Sequence, residues 1–165
     1  MRCKYDNIIA IDPDKGKSGV AFLKPTTRQL EVSNLTFPCL MDYLQFCKKT
    51  SLEKQETVIV VVEAGWMVRK SNFHEAQGHR AEKIAKDVGA NHETGRKIIE
   101  MCKHYGINVL EHAPLVKCWK GKDRKITQEE LASFTGLTGR TNQDGRDAAL
   151  LAWVFSGLPI RVKVE

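Results

Sequence analysis

Two carboxylates in this chain stand at the ends of apolar runs. Asp12 closes Ile8-Ile9-Ala10-Ile11, and Glu63 closes Val58-Ile59-Val60-Val61-Val62. Two more, Asp144 and Asp147, lie three residues apart, ahead of the apolar positions Ala148, Leu151, Val154 and Phe155. Carboxylates gathered in one place repel one another and stay ionised only beside positive charge. Hard divalent cations that prefer oxygen ligands, Mg²⁺ or Mn²⁺, supply it. Two such ions about 3.5–4 Å apart clamp the attacking and leaving oxygens of an in-line phosphoryl displacement, and metal-activated water then hydrolyses a phosphodiester. Each acid also has a plain reading: Asp12 as a turn residue before Pro13, Glu63 as a solvated strand end, Asp144 as a helix cap or dipole partner with Asp147 beside it. Only their convergence separates the two.

The elements must therefore deliver them. The first apolar run predicts a strand over Asn7–Asp12. Pro13 stops its ladder because it has no N–H to donate. The turn Lys15-Gly16-Lys17 leads into a second strand, Ser18–Leu23, and Gln29–Leu35 alternates as a third, antiparallel one. A helix over Cys39–Lys49 follows Pro38, then a polar linker, Ser51–Glu56. The β-branched run ending at Glu63 suits a strand buried on both faces at the centre of a sheet. His79–Val88 and His92–Tyr105 read as two helices broken at Gly89-Ala90-Asn91, with Gly106 as the stop of the second. Ile107–Leu110 reads as a short strand. Thr127-Gln128-Glu129-Glu130 is a capping box for a helix ending near Gly136, and a last helix runs Asp144–Ser156. Three leading strands followed by alternating helices and strands predict an α/β fold, a mixed sheet with helices on its faces. If the strands ending at Asp12 and Glu63 run parallel and adjacent, both acids share one edge of the sheet, where the last helix can bring its aspartates.

Composition sets outer limits. The 165 residues suit one domain, 1–165, with a sizeable core. Lys and Arg number 26 against 20 Asp and Glu, a net charge of +6, which suits a polyanionic partner. No apolar run reaches membrane-spanning length and the first residues lack a signal-peptide pattern, so no membrane partner is expected. The five cysteines include no Cys-x-x-Cys pair, which argues against a zinc site or disulfide framework and for a reducing, cytoplasmic compartment. Of the histidines, only His112, at a strand end, is a possible neighbour of the acids.

The motifs together resemble the RuvC-type Holliday junction resolvases of the RNase H-like nuclease superfamily. Ile9-Ala10-Ile11-Asp12-Pro13 with Gly19-Val20-Ala21 is similar to that family's first hairpin, and Val60-Val61-Val62-Glu63 to its second acidic strand end. Gln143-Asp144-Gly145-Arg146-Asp147-Ala148 resembles its closing Asp-x-x-Asp-Ala helix. Pro114-Leu115-Val116-Lys117 and Lys125-Ile126-Thr127-Gln128 resemble its two lysine motifs. The resemblance implies an RNase H-like fold, a homodimer, two Mg²⁺ per site (with Mn²⁺ as a substitute) and paired nicking of four-way DNA junctions. It casts Asp12, Glu63, Asp144 and Asp147 as metal ligands and sets Lys117 and Lys125 near the scissile phosphate. Trp66 falls where the family has an aromatic that stacks on a base near the crossover; its alternative is a ring folded into the core. The basic residues Lys117, Lys120, Lys122, Arg124 and Lys125 crowd one loop, which reads as a solvated surface or, beside a metal cluster, as a track for a phosphate backbone. Arg69 and Lys70, with Arg80 and Lys83, extend that track.

The chain departs from the family at Asp14, where a small residue is usual, and in the lengths of Arg69–Val88 and Lys117–Lys125. These departures flank the expected DNA face and bear on substrate choice, including flaps and forks. They suit a divergent bacterial or phage-encoded, nucleoid-associated enzyme. Two other classes share part of the pattern: a non-catalytic branched-DNA-binding protein on the same fold, which the full set of acids disfavours, and an actin-like ATPase, which needs a second domain to enclose its nucleotide.

Overall fold

A computed structural model of the chain describes residues 3–68 and 78–161. Five strands form one mixed sheet: β1 (Asn7–Asp12), β2 (Lys17–Lys24), β3 (Gln29–Thr36), β4 (Val58–Glu63) and β5 (Val109–His112). Their spatial order is β3-β2-β1-β4-β5. β1 pairs antiparallel with β2, and β2 with β3, while β1 with β4 and β4 with β5 run parallel. The α-helices among the described residues are α1 (Phe37–Glu53), α2 (His79–His104), α3 (Gln128–Thr135) and α4 (Gln143–Ser156). The expected mixed α/β sheet with helices on both faces is what the chain forms.

Alternation along the central strands sorts the core into two layers. Ile8 and Ala10 of β1 with Ile59 and Val61 of β4 pack against α3 and α4, through Leu131, Leu151 and Trp153. Ile9, Ile11, Val60 and Val62 face the other way, onto Leu40, Leu44, Ile98 and Cys102 of α1 and α2. The register sets Ile11 opposite Val62, so Asp12 and Glu63 follow one residue on, side by side. Parity then gives both acids to the α4 side of the sheet.

Helix α4 reaches that edge because two glycines let it. A Cβ on Gly19 of β2 would lie 2.1 Å from the carbonyl oxygen of Asp144, and one on Gly145 would lie 2.8 Å from Val32 Cγ1. The first turn of α4 thus rests on the β2 backbone at Gly19 and on the Val32 side chain of β3. Its N-cap is Asn142, whose Oδ1 accepts from Gly145 N at 2.8 Å and from Asn34 Nδ2 of β3 at 3.0 Å. Trp153, fully buried, anchors the far end and donates its indole N–H to the Pro159 carbonyl at 3.1 Å.

Several boundaries differ from the sequence reading. The break at Gly89–Asn91 does not exist: α2 runs through it. A helical glycine costs only about 1 kcal/mol against alanine. Asn91, inside the helix, accepts from the backbone N–H of Lys15 at 2.9 Å and ties the β1–β2 turn to α2. Helix α1 starts at Phe37, so Pro38 sits inside its first turn, where a missing N–H costs nothing. It also runs on to Glu53, into the stretch read as a linker. The fifth strand begins two residues later than expected, at Val109, because Ile107 closes α2 instead, donating to the Cys102 carbonyl at 2.8 Å. Among the described residues no helix is long and apolar enough to cross a membrane.

The Gly19 contact gives a direct test. Gly19→Ala forces a methyl against the Asp144 peptide, and such overpacking costs about 1–3 kcal/mol. Urea denaturation is expected to show that loss, and an unchanged midpoint would contradict the packing described.

Candidate metal centre

The cavity at this sheet edge, of ≈ 530 Å³, is lined by Asp12, Glu63, Asp144 and Asp147 together with Lys117 and Lys125. One carboxylate oxygen from each of Asp12, Asp144 and Asp147 lies within 4.8 Å of the other two. All three side chains are partly buried. Glu63 stands beside Asp12 by register, and its charge is the strongest of the neighbouring charges acting on Asp12. Acids from three separate stretches of the sequence therefore line one cavity.

Their electrostatics show the strain. Burial, then the charges of Glu63, Asp144 and Asp147, raise Asp12 well above the ordinary 3.8 of an aspartate, with Lys125 opposing them. Asp144 is raised too, by burial first and by Asp14 next, while a hydrogen bond with Asp12 works against the rise. Metal-free, the cluster therefore holds its protons more tightly than isolated carboxylates would. This donor set suits a hard divalent cation: oxygen atoms only, grouped closely, with more negative charge than the protein neutralises. The residues that could hold such an ion are Asp12, Asp144 and Asp147, with Glu63 beside them.

The basic loop is ordered rather than merely solvated. Trp119 N donates to Arg124 O at 3.0 Å and Gly121 N to Lys125 O at 2.9 Å, closing the loop on itself. Asp123 and Arg124 both adopt left-handed backbone, φ 55° and 61°. Such residues persist only where their surroundings hold them. Glu130 does part of this: its Oε1 accepts from Lys120 N at 3.0 Å as well as from Thr127 N at 3.2 Å and Thr127 Oγ1 at 3.0 Å. The predicted capping box is present, and it also docks the loop. Lys125 Nζ lies 3.6 Å from Asp147 Oδ2. Lys117 and Arg124 line the cavity, whereas Lys120 and Lys122 are exposed on the same loop outside its lining. Arg69 and Lys70 lie outside the described residues.

Trp66 lines the cavity but is half-covered. It sits in a 3₁₀ turn, Gly65–Met67, and packs on α2, where a Cβ at Gly95 would lie 2.7 Å from its ring. His92 meets it edge-on at 5.9 Å, and the Arg96 guanidinium lies 5.2 Å from its ring centre. His112 pairs with Glu63 in the sheet register. Three lining or bracing residues were not singled out as site residues from the sequence. Asp14 lines the cavity while its Oδ2 accepts from Gly16 N at 2.8 Å, so it reads first as an Asx-turn residue. His92 looked like a helix start. Glu130 looked like a cap and nothing more.

The raised Asp12 sets the sign of a pH dependence. Above pH 3.8 the unfolded chain loses this proton while the native state keeps it, so the native state binds more protons and stability falls as pH rises. The loss is complete once pH passes the raised native value. Divalent cations need the ionised acids, so their stabilising effect grows over the same window. Thermal melts of metal-free protein are expected to drop as pH is raised from about 4, and added Mn²⁺ to restore more at pH 8 than at pH 5. A Mn²⁺ effect independent of pH would contradict this.

No protein-family model and no curated protein sequence matches the chain. Among solved structures, the fold is similar to Thermus thermophilus RuvC in complex with Holliday junction substrate. That match has a TM-score of 0.50 and 13% identity, and covers 92% of this chain and 94% of that one. A second Thermus thermophilus RuvC structure aligns at TM-score 0.47 and 13% identity, covering 92% of this chain and 95% of that one. The first of these likenesses, over nearly the whole of both chains, gives the protein the RNase H-like fold.

Proposed function

We propose that the chain is a metal-dependent, structure-selective DNA endonuclease that resolves four-way junctions by paired phosphodiester hydrolysis. The observation that carries this reading is the convergence of Asp12, Asp144 and Asp147, with oxygens within 4.8 Å of one another, in a cavity also lined by lysines. The fold is shared with a protein solved with a Holliday junction substrate. An acidic centre alone would repel DNA; the loop carrying Lys117, Arg124 and Lys125 supplies the charge that a phosphate backbone needs.

In this reading Asp12, Glu63, Asp144 and Asp147 hold two Mg²⁺. Bound there, the cations supply an activated water and neutralise charge developing on the phosphoryl oxygens. The protein does the rest. Strands β1 and β4 fix the backbone of Asp12 and Glu63 side by side, which limits how far their carboxylates must move. Lys125, beside Asp147, and Lys117 stand near the scissile phosphate. Arg124, Lys120 and Lys122 bind flanking phosphates, as do Arg69 and Lys70. The uncovered part of the Trp66 ring is offered to a base at the branch point. The chain acts as one nuclease domain, and paired nicking takes two copies of the site, hence a homodimer.

Labelled four-way, flap and linear duplex DNA, with and without Mg²⁺, test the reading. Paired Mg²⁺-dependent nicks in the four-way junction are expected. No cleavage of any branched DNA in Mg²⁺ or Mn²⁺ would overturn it. Asp12→Asn and Glu63→Gln keep the side-chain shapes and are each expected to lower cleavage by more than about a hundredfold. Since Asp12→Asn removes repulsion, the metal-free variant is expected to melt no lower than wild type. Wild-type nicking by either variant would refute these roles.

A further inference from the structure

Gln143 opens α4, one residue ahead of the start expected from the sequence. Its side chain makes three hydrogen bonds. Nε2 donates to Asp147 Oδ1 at 2.9 Å and to the Ile126 carbonyl at 3.1 Å. Oε1 accepts from Arg146 Nη2 at 3.0 Å. Arg146 is itself pinned, with Nε on the Ile126 carbonyl at 3.2 Å and Nη1 on the Thr141 carbonyl at 2.7 Å.

An amide has nearly the same shape whichever way it faces, so its partners choose the orientation. Here they leave no choice. Arg146 can only donate, so it takes the amide oxygen. Asp147, when ionised, and the Ile126 carbonyl can only accept, so they take the two N–H groups. Turned over, the amide would set oxygen against oxygen twice and N–H against guanidinium once.

The consequence reaches the metal centre. With Oδ1 of Asp147 held by Gln143, Oδ2 is the oxygen that faces Lys125. The second N–H of Gln143 holds Ile126, the chain neighbour of Lys125. One amide therefore registers an acid of the cluster against the lysine of the basic loop. We propose that Gln143, oriented by Arg146, is the positioning residue that presents Asp147 to a divalent cation and sets Lys125 beside it. This rests on the metal-dependent reading for the cation but makes a separate claim about these two side chains. Outer partners of metal-binding carboxylates typically carry 10–100-fold of metal affinity, because a ligand free to turn must be ordered when the ion binds.

Calorimetric titration of the full chain with Mn²⁺ tests it. Gln143→Met keeps length and helix propensity but loses all three hydrogen bonds. It is expected to weaken Mn²⁺ binding about 10–100-fold, with only a small change in the melting temperature of the metal-free protein. Arg146→Lys keeps the charge but not the fork that selects the amide oxygen, and a several-fold loss is expected. It reads the same arrangement should the methionine variant fold poorly. A residue that serves stability alone would lower the melting point and leave the affinity of the folded protein untouched. Mn²⁺ affinities within about threefold of wild type in both variants overturn the proposal and leave the endonuclease reading standing. Wild-type protein that binds no Mn²⁺ overturns both.

Discussion

The first turn of α4 lies on Gly19 of β2, at a separation that no side chain at that position could tolerate. That contact decides where Asp144 and Asp147 go. The strand alternation that buries Ile8 and Ala10 under α4 decides where Asp12 goes, and the parallel register with β4 adds Glu63. None of these placements is driven by attraction among the acids, which repel. They are imposed by the burial of Leu151, Trp153 and the strand residues beneath them, at about 1.5–3 kcal/mol for each large side chain. The core drives the assembly, and the like charges are carried along with it.

Such a site is poised rather than relaxed. Burial and the neighbouring acids make Asp12 harder to ionise than an isolated carboxylate. Lys125 offsets part of the excess charge but stands at Asp147, on one side of the group. The remaining imbalance is what a divalent cation would satisfy. The surroundings prepare for that in different ways: Glu130 stitches the basic loop to α3, and Gln143 holds one oxygen of Asp147. Preorganisation of this kind keeps reorganisation out of the chemical step.

Much of this arrangement was legible in the residues. The alternation of Gln29–Leu35 marked one strand through its period of two, and the β-branched run Val58–Val62 marked another, because such residues suit a strand buried on both faces. Thr127 and Glu130 announced a helix start through a local reciprocal bond, which depends on no distant partner. The acids could be paired with strand ends and a helix start for the same reason. What escaped notice depended on the rest of the molecule. Gly89 was read as a break, although the helix continued through it at small cost. Ile107 was assigned to a strand, although packing against the helix layer claimed it. No local pattern decides between the two readings of Trp66, whose ring the structure half-covers with α2. Gln143 gave no signal, since an amide acquires meaning only from what stands on either side of it.

If these acids are gathered to hold divalent cations, diffraction at a manganese-sensitive wavelength locates the ions among them. Crystals equilibrated with Mn²⁺ should give an anomalous peak in contact with the carboxylates of Asp12, Asp144 and Asp147. Manganese peaks elsewhere on the surface, with that group of carboxylates bare, would contradict it.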